Sequence, residues 1–403
     1  MKRALFLLLA SSLFACAAQK LLVVSVDGLD QRYLEDRDRL GLRIPHIRRL
    51  LAEGQWAKGV LGVVPTVTWP SHITLITGVT PAVHGIRGNR RPAAEGGDYP
   101  WSASLLKART LFDAAHETGL KTAAITWPVT VDAPVDFNLP EYFQRRRGGA
   151  MDMHSIASKA TPRDLAQRIA RMFPSFPQEW MDDRTRTQAV VYLLKTEQPN
   201  LLAVHLVDLD SEEHDNGPFS PEANAILEYT DELIGQMLAA LPSGYAVALV
   251  SDHGFERTET VVNLKLAAAS HQKDISASSG VALAQTSEAA DALRALAKDP
   301  KYGIGREIAK AEVVRFAPDL AKAVAVFEPA PGFQLTAAGG SGEIFTKPHE
   351  LGNHGHWPTR YRAVYVFWGT SGNGTRVPEI AMTDIAGQLA SVIGVKFSPG
   401  GKP

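Results

Sequence analysis

The chain is expected to fold as an α/β protein: a doubly wound, mainly parallel sheet with helices on both faces. Three observations predict this. Short Val- and Leu-rich runs recur at Leu21–Val26, Leu201–Val207 and Ala246–Val250, with few polar breaks, as strands buried on both faces require. Helical patterns such as Thr185–Lys195 and Glu222–Leu241 alternate with them, and Lys121–Ile125 and Ala363–Phe367 read as further strands. Each of the three runs is followed closely by aspartate: Asp27, then Asp208 and Asp210, then Asp252. Ligands of such sheets gather beyond the carboxyl ends of the strands, so these aspartates are expected close together in space.

The start of the chain reads as an export signal. Lys2 and Arg3 precede an apolar run, Ala4–Leu9, and small residues follow at Ala15–Ala18. Residues 1–18 are therefore expected to be a signal peptide of a periplasmic or extracellular protein. The alternative is a lipid anchor at Cys16, since Leu13-Phe14-Ala15-Cys16 loosely resembles a lipobox. Cys16 is the sole cysteine, so the mature chain is expected to rely on its core rather than on disulfides. Hydrophobic residues make up 45% of the 403 residues, ample for that core. The net charge of −1 excludes a strongly basic nucleic-acid binder. No later run is apolar and long enough for a transmembrane helix.

Residues 19–254 are expected to form the first part of a catalytic core, with a surface excursion over one edge at about 144–183. Arg145-Arg146-Arg147-Gly148-Gly149 and several prolines interrupt the alternation there. Residues 255–345 are expected to be an inserted cap or small lobe, with Val313–Phe316 and Ala323–Phe327 as strands of an antiparallel sheet. Residues 346–403 complete the core.

Chemistry is carried by combinations of residues. A lone strand-end aspartate also serves as a helix cap, and Asp27 by itself decides nothing. Asp210 and His214 are spaced to share one face of a helical turn, where carboxylate and imidazole can share a metal ion. Asp252 and His253 directly follow a strand. His354 lies in Gly352-Asn353-His354-Gly355-His356-Trp357, whose glycines permit a tight backbone path. Carboxylate with imidazole suits zinc or a similar divalent ion. In Pro65-Thr66-Val67-Thr68-Trp69-Pro70-Ser71-His72, Thr68 is either an N-cap or an activated nucleophile, and a helix N-terminus suits phosphate in both cases. Asn89, in His84-Gly85-Ile86-Arg87-Gly88-Asn89, is either a turn residue or an amide donor to a phosphoryl oxygen.

These motifs occur in an order that resembles the nucleotide pyrophosphatase/phosphodiesterase branch of the alkaline phosphatase superfamily. They are Asp27-Gly28, the Thr68 run, the His84 to Asn89 run, Asp210 with His214, Ser251-Asp252-His253-Gly254 and His354-Gly355. The resemblance implies a metal-dependent phosphodiesterase with two divalent ions, expected to be zinc, and a phospho-threonine intermediate on Thr68. It implies one zinc held by Asp210, His214 and His354. The other is implied at Asp27, Asp252 and His253, with the Thr68 oxygen completing its shell. Two departures fall near the substrate. Well-known members carry Phe-Pro-Asn-His after the nucleophile and His-Gly-Tyr in the last motif. This chain has Trp69-Pro70-Ser71-His72 and His354-Gly355-His356, so Trp69, Ser71 and His356 are candidate substrate contacts.

Other activities on the same scaffold are a phosphomonoesterase, with Arg87, Arg90 or Arg91 on the terminal phosphate, and a phosphonate or phospholipid-headgroup hydrolase. An inactive phosphate-ligand-binding protein is the alternative of another class. The expected partner is a small phosphate ester.

Overall fold

The structure is a computed structural model that describes residues 20–143, 153–176, 181–268, 273–278, 280–338, 342–369 and 373–400. The expected signal peptide with Cys16, and the Arg145–Gly149 stretch, lie outside the described residues. Eight strands form the main sheet, in the order Thr375–Val377, Gln55–Ala57, Tyr365–Trp368, Tyr245–Val250, Lys20–Val26, Leu201–Leu206, Thr122–Ile125 and Phe137–Leu139. The five strands from Tyr245–Val250 to Phe137–Leu139 run parallel; Tyr365–Trp368 is antiparallel to both of its neighbours.

Alternation along the central strand builds two layers. Leu22, Val24 and Val26 pack under the Pro45–Glu53, Asp183–Thr196 and Pro221–Ala240 helices. Leu21 and Val23 face the opposite layer, with the Thr68–Thr77, Leu111–Glu117 and Ile385–Val392 helices. The sheet is thus covered on both sides, which is why its strands carry almost no polar residues. Pairing in register sets Ser25 beside both His205 and Val250, so the turns after all three strands open at one level.

After Asp252-His253 the chain leaves the sheet. Glu256–Asn263 pairs with Gly332–Thr336, Phe345–Thr346 and Gly352–Asn353. A separate antiparallel sheet contains Ile304–Glu307, Ala325–Pro329, Val281–Ala284 and Ile275–Ser278. The expected strand at Ala323–Phe327 corresponds to Ala325–Pro329. The expected strand at Val313–Phe316 is instead the end of a helix, Lys310–Phe316. Its short apolar run has helical rather than alternating neighbours: Val313 is buried, and Ala317, four residues on, is buried on the same side. Gly352–Asn353 pairs with Arg257 and Glu256, so the polypeptide entering and leaving this lobe is zipped together next to His253.

One buried ion pair frames the strand ends. Asp183 accepts from the Val207 N–H at 2.8 Å and from the Asp208 N–H at 3.0 Å, capping the Asp208–Asn216 helix. Arg186, fully buried, donates to Asp183 Oδ1 at 3.0 Å and to Thr126 Oγ1 at 3.0 Å. Removing one partner of such a pair leaves a charge without compensation. Arg186→Leu should therefore lower stability by about 3–5 kcal/mol in urea unfolding, and a loss below about 1 kcal/mol would contradict this role.

Candidate metal and phosphate site

Two clusters meet at the carboxyl ends of the central strands. Asp27 follows Lys20–Val26, and Asp252 and His253 follow Tyr245–Val250. His253 Nε2 lies 3.3 Å from Asp27 Oδ1 and 3.1 Å from Asp252 Oδ2. Asp252 Oδ1 accepts from the Gly28 N–H at 3.2 Å. Gly28 has φ +75°, and a Cβ there would sit 2.7 Å from Glu213 Oε2, so the turn admits no side chain.

The second cluster rides on the Asp208–Asn216 helix. His214 Nε2 is 3.6 Å from Asp210 Oδ2, one turn apart, and His354 Nε2 is 3.7 Å from Asp210 Oδ1. His214 Nδ1 is turned toward the Gly352 carbonyl (3.1 Å) and Glu350 (3.2 Å), which leaves Nε2 facing the cluster. The His253 and His354 rings stack with centroids 3.9 Å apart, joining the two clusters. The first cluster is buried, whereas Asp210 and His214 keep side-chain exposures of 16% and 21%, so the second faces the solvent side.

The donor sets fit divalent cations. The ligand atoms of Asp27, Asp252 and His253 lie within 4.8 Å of one another, as do those of Asp210, His214 and His354. Asp27 Oδ1, Asp210 Oδ1, Asp252 Oδ2, both His253 ring nitrogens and His354 Nδ1 are buried without hydrogen-bond partners. Unpaired buried polar atoms are costly, and a cation between them removes that cost. Burial, then the charge of Asp210, holds the Asp27 carboxyl well above the usual carboxylate range. Burial, then the charge of Asp27, does the same to Asp252. Burial first, then neighbouring imidazoles, pushes His253 and His354 well down.

Thr68 is the first residue of the Thr68–Thr77 helix. The N-cap is Val67, which has no side-chain oxygen to offer, so Thr68 is not the cap. Burial holds His72 well below its ordinary value, hence neutral. Its Nδ1 donates to the Thr68 carbonyl at 2.8 Å, and its Nε2 accepts from Ser25 Oγ at 2.9 Å. His72 Nδ1 is also 3.6 Å from Asp252 Oδ2, which places the Thr68 turn against the first cluster. On the other side, the Gly355 N–H donates to the Thr66 carbonyl at 3.0 Å, and Thr66 Oγ1 donates to the His356 carbonyl at 2.6 Å. Tyr361 accepts from the Gly355 and His356 N–H groups at 3.0 and 3.1 Å. Gly355, at φ +88°, lets this loop pass close to Val67.

Asn89 Oδ1 accepts from the Trp69 N–H at 3.0 Å, so the amide is anchored beside Thr68 with its NH2 group turned away from that bond. Two expected substrate contacts are buried in this structure. Trp69 is 2% exposed, packed against Tyr99 and Trp101, and Ser71 is wholly buried inside the helix. Both positions point into the core because the helix packs all its sides inward. His356 is buried too, but it lines a cavity, and burial lowers it to about 3.

Sequence reasoning missed His205. Fully buried, it bridges Asp27 Oδ2 at 2.9 Å and Glu141 Oε2 at 3.0 Å. The available signal was a single titratable residue inside the apolar run Leu201–Val207. Tyr361, His72 and Ser25 were also unassigned, and they act by holding backbone rather than through a motif of their own.

The shifts fix a pH dependence. Raised aspartates bind protons more tightly when folded, so their contribution to stability is lost as pH rises above 3.8. Lowered histidines cost stability as pH falls below 6.5. Above that value the histidine cost is gone, and the raised carboxyl groups give up their protons progressively, so a cation competes with fewer protons as pH rises. Adding Zn2+ to chelator-stripped protein should therefore raise Tm more at about pH 8 than at about pH 5. Equal increments in a thermal melt would contradict the assignment.

A family model described as type I phosphodiesterase / nucleotide pyrophosphatase matches residues 21–330. Ectonucleotide pyrophosphatase/phosphodiesterase family member 1 of Mus musculus is 26% identical over 253 residues, covering 59% of this chain and 24% of the relative. The venom phosphodiesterase of Naja atra is 25% identical over 248 residues, covering 59% and 26%. The match thus spans about a quarter of the length of these curated relatives. Murine ectonucleotide pyrophosphatase/phosphodiesterase 5 has the same alkaline phosphatase-like fold, with a TM-score of 0.66, 20% identity, and coverage of 95% of this chain and 98% of that one. An inactive form of that protein in complex with AMP matches equally, at 0.66 and 19%. With 77% of its length, residues 21–330 of 403, matched by one family model, the chain belongs to the type I phosphodiesterase / nucleotide pyrophosphatase family.

Proposed function

We propose that this protein hydrolyses phosphodiesters with Thr68 as nucleophile at a two-zinc site. The observation that carries this reading is the pair of Asp/His triads flanking the N-terminal turn that bears Thr68. One ion would be held by Asp210, His214 and His354; the other by Asp27, Asp252, His253 and the Thr68 oxygen. When bound, such a pair supplies charge neutralisation and Lewis acidity to both the attacking and the leaving oxygen.

The residues of the chain do the rest. Asp27 and Asp252, held by His205 and the Gly28 N–H, keep a fixed cradle of carboxyl oxygens. His72 locks the Thr68 backbone, so its hydroxyl is presented without a conformational search. Thr68 Oγ1 forms a bond to phosphorus as the bond to the departing alcohol breaks; the hydroxyl proton leaves and the alcohol gains one. Water then bonds to phosphorus as the Thr68 Oγ1–phosphorus bond breaks; Thr68 Oγ1 regains a proton, the water gives one up, and a phosphomonoester leaves. The positive end of the ten-residue Thr68–Thr77 helix and the Asn89 NH2 group face the charge that develops on the non-bridging oxygens.

A diester is favoured over a monoester because the nearby cations are occupied. Arg87 pairs with Asp319 at 3.3 Å, Arg91 with Glu95 at 3.7 Å, and the Arg90 guanidinium lies 4.6 Å from the Tyr99 ring centroid. Among the described residues these three guanidinium groups are thus engaged elsewhere, which disfavours the extra charge of a terminal phosphate. The leader-like first 18 residues support export, and no described helix is long and apolar enough to cross a membrane.

Bis-p-nitrophenyl phosphate should be cleaved with higher kcat/KM than p-nitrophenyl phosphate; the reverse order would favour the monoesterase. Thr68→Ala should lose several orders of magnitude in kcat while retaining its metal, and near-normal turnover would remove Thr68 as nucleophile. Asp210→Asn and His354→Ala should each lower bound zinc, read by elemental analysis, whereas unchanged stoichiometry would exclude those ligands.

A further inference from the structure

A cavity of about 540 Å3 opens beside the Thr68 turn, between the core and the inserted lobe. The core contributes Val67 and the loop containing His354 and His356; the lobe contributes Ser276 and Gln334–Ala338. The two walls are in direct contact: a Cβ on Gly280 would lie 2.1 Å from the Gly355 carbonyl oxygen. The space therefore adjoins the reaction centre, and its volume lies in the usual range for small-ligand sites.

The chemistry of its walls is narrow. Among the described lining residues there is no Lys, Arg, Asp or Glu, and no Phe, Tyr or Trp. Hydrogen-bonding groups come instead from Ser276, Gln334, Thr336, Asn353 and His356. Asn353 uses Oδ1 to accept from the His354 N–H, so its NH2 group remains to donate. Thr336 donates to the Val262 carbonyl, so its oxygen remains to accept. His356 is 6% exposed, and both of its ring nitrogens are buried without a partner. Val67 and Leu335 supply apolar surface between these groups.

The aromatic rings nearest Thr68 offer no alternative platform. Trp69 is covered by Tyr99 and Trp101; Tyr99 is stacked on Trp101, with Arg90 over its ring; Phe143 meets both. Those rings pack on one another, and among the described residues lining the cavity there is no aromatic ring of Phe, Tyr or Trp for a planar base to stack on and no carboxylate or aromatic cage for a cationic headgroup. A group bearing several hydroxyls, each both donor and acceptor, matches the amides, hydroxyls and imidazole, with its C–H surface against Val67 and Leu335.

We propose that the cavity takes an uncharged polyhydroxy alcohol, a sugar or cyclitol, esterified to the phosphate. This inference rests on the phosphodiesterase reading above and names its substrate class. Sites built to hydrogen-bond hydroxyls discriminate strongly, because an unsuitable group leaves their polar atoms unpaired.

The test uses zinc-loaded Thr68→Ala full-length protein, which permits calorimetric titration without turnover. Two ligands share phosphate and leaving group: the p-nitrophenyl phosphodiester of glucose at O6 and that of thymidine at O5′. The glucose ester should bind at least tenfold tighter. Adding Gln334→Leu, or separately His356→Phe, should shrink that gap to threefold or less, with thermal melts confirming that each variant is folded. Equal or tighter binding of the thymidine ester, or a gap that survives both variants, would overturn the proposal. Failure of wild-type protein to cleave bis-p-nitrophenyl phosphate would instead count against the hydrolase reading, while the binding data still decide this one.

Discussion

Asp27 and Asp252 are buried side by side, and everything at the strand ends is arranged around that fact. Water is excluded from both carboxyl groups, their charges repel, and each is forced away from its ionised form. His253, whose Nε2 lies against both carboxyl groups, is itself pushed well down by burial, so it brings no positive charge to offset them. Such an assembly is stable only if a cation completes it or protons neutralise it. Divalent cations suit it best, because the unpartnered oxygens and ring nitrogens converge instead of dispersing.

Keeping these groups converged takes a rigid surround. His205 holds Asp27 from below the strand ends and is held in turn by Glu141 and the Thr126 carbonyl. Thr126 is also the acceptor for Arg186, whose partner Asp183 caps the helix bearing Asp210 and His214. A continuous buried hydrogen-bond network therefore ties the first cluster to the second, and neither can shift alone. His72 adds the third link, from Ser25 on the central strand to the Thr68 carbonyl. The result is pre-organisation: the Thr68 turn and both Asp/His clusters are held in one fixed arrangement.

The inserted lobe serves this centre from the outside. Its entering and leaving strands pair with each other, which delivers His354 to a position stacked on His253. Trp357, three residues on, donates to Glu312 in the lobe, so the loop carrying His354 is braced from both sides. The same lobe walls the cavity beside Thr68. The lobe thus positions the loop that completes the second Asp/His cluster and walls the space beside it, while the sheet beneath holds the first cluster.

Much of this was legible in the linear chain. Apolar runs ending in aspartate mark buried parallel strands whose turns meet at one edge, and the i, i+4 spacing of Asp210 and His214 fixes a shared helical face. Those features are local, set by the two-residue and 3.6-residue periods of the backbone, and so the sequence by itself determined the fold class and marked the strand-end aspartates and the Asp210/His214 pair as candidates; the grouping of six Asp and His residues into two triads was implied by the family resemblance, and only the folded chain brings each group within 4.8 Å. Val313–Phe316 could not be read this way, since four apolar-rich residues suit a strand or a helix and only the packing of Val313 chooses. Trp69 and Ser71 sit in a motif beside Thr68, yet a helix buried on all sides turns them into the core. His205, Glu141 and Arg186 act across 60 or more residues of chain, and Tyr361 meets the Thr66 hydroxyl across 295, through contacts that exist only once the layers have closed. Only the tertiary structure decided those, because burial and hydrogen-bond partnership belong to the packed molecule and leave no period in the chain.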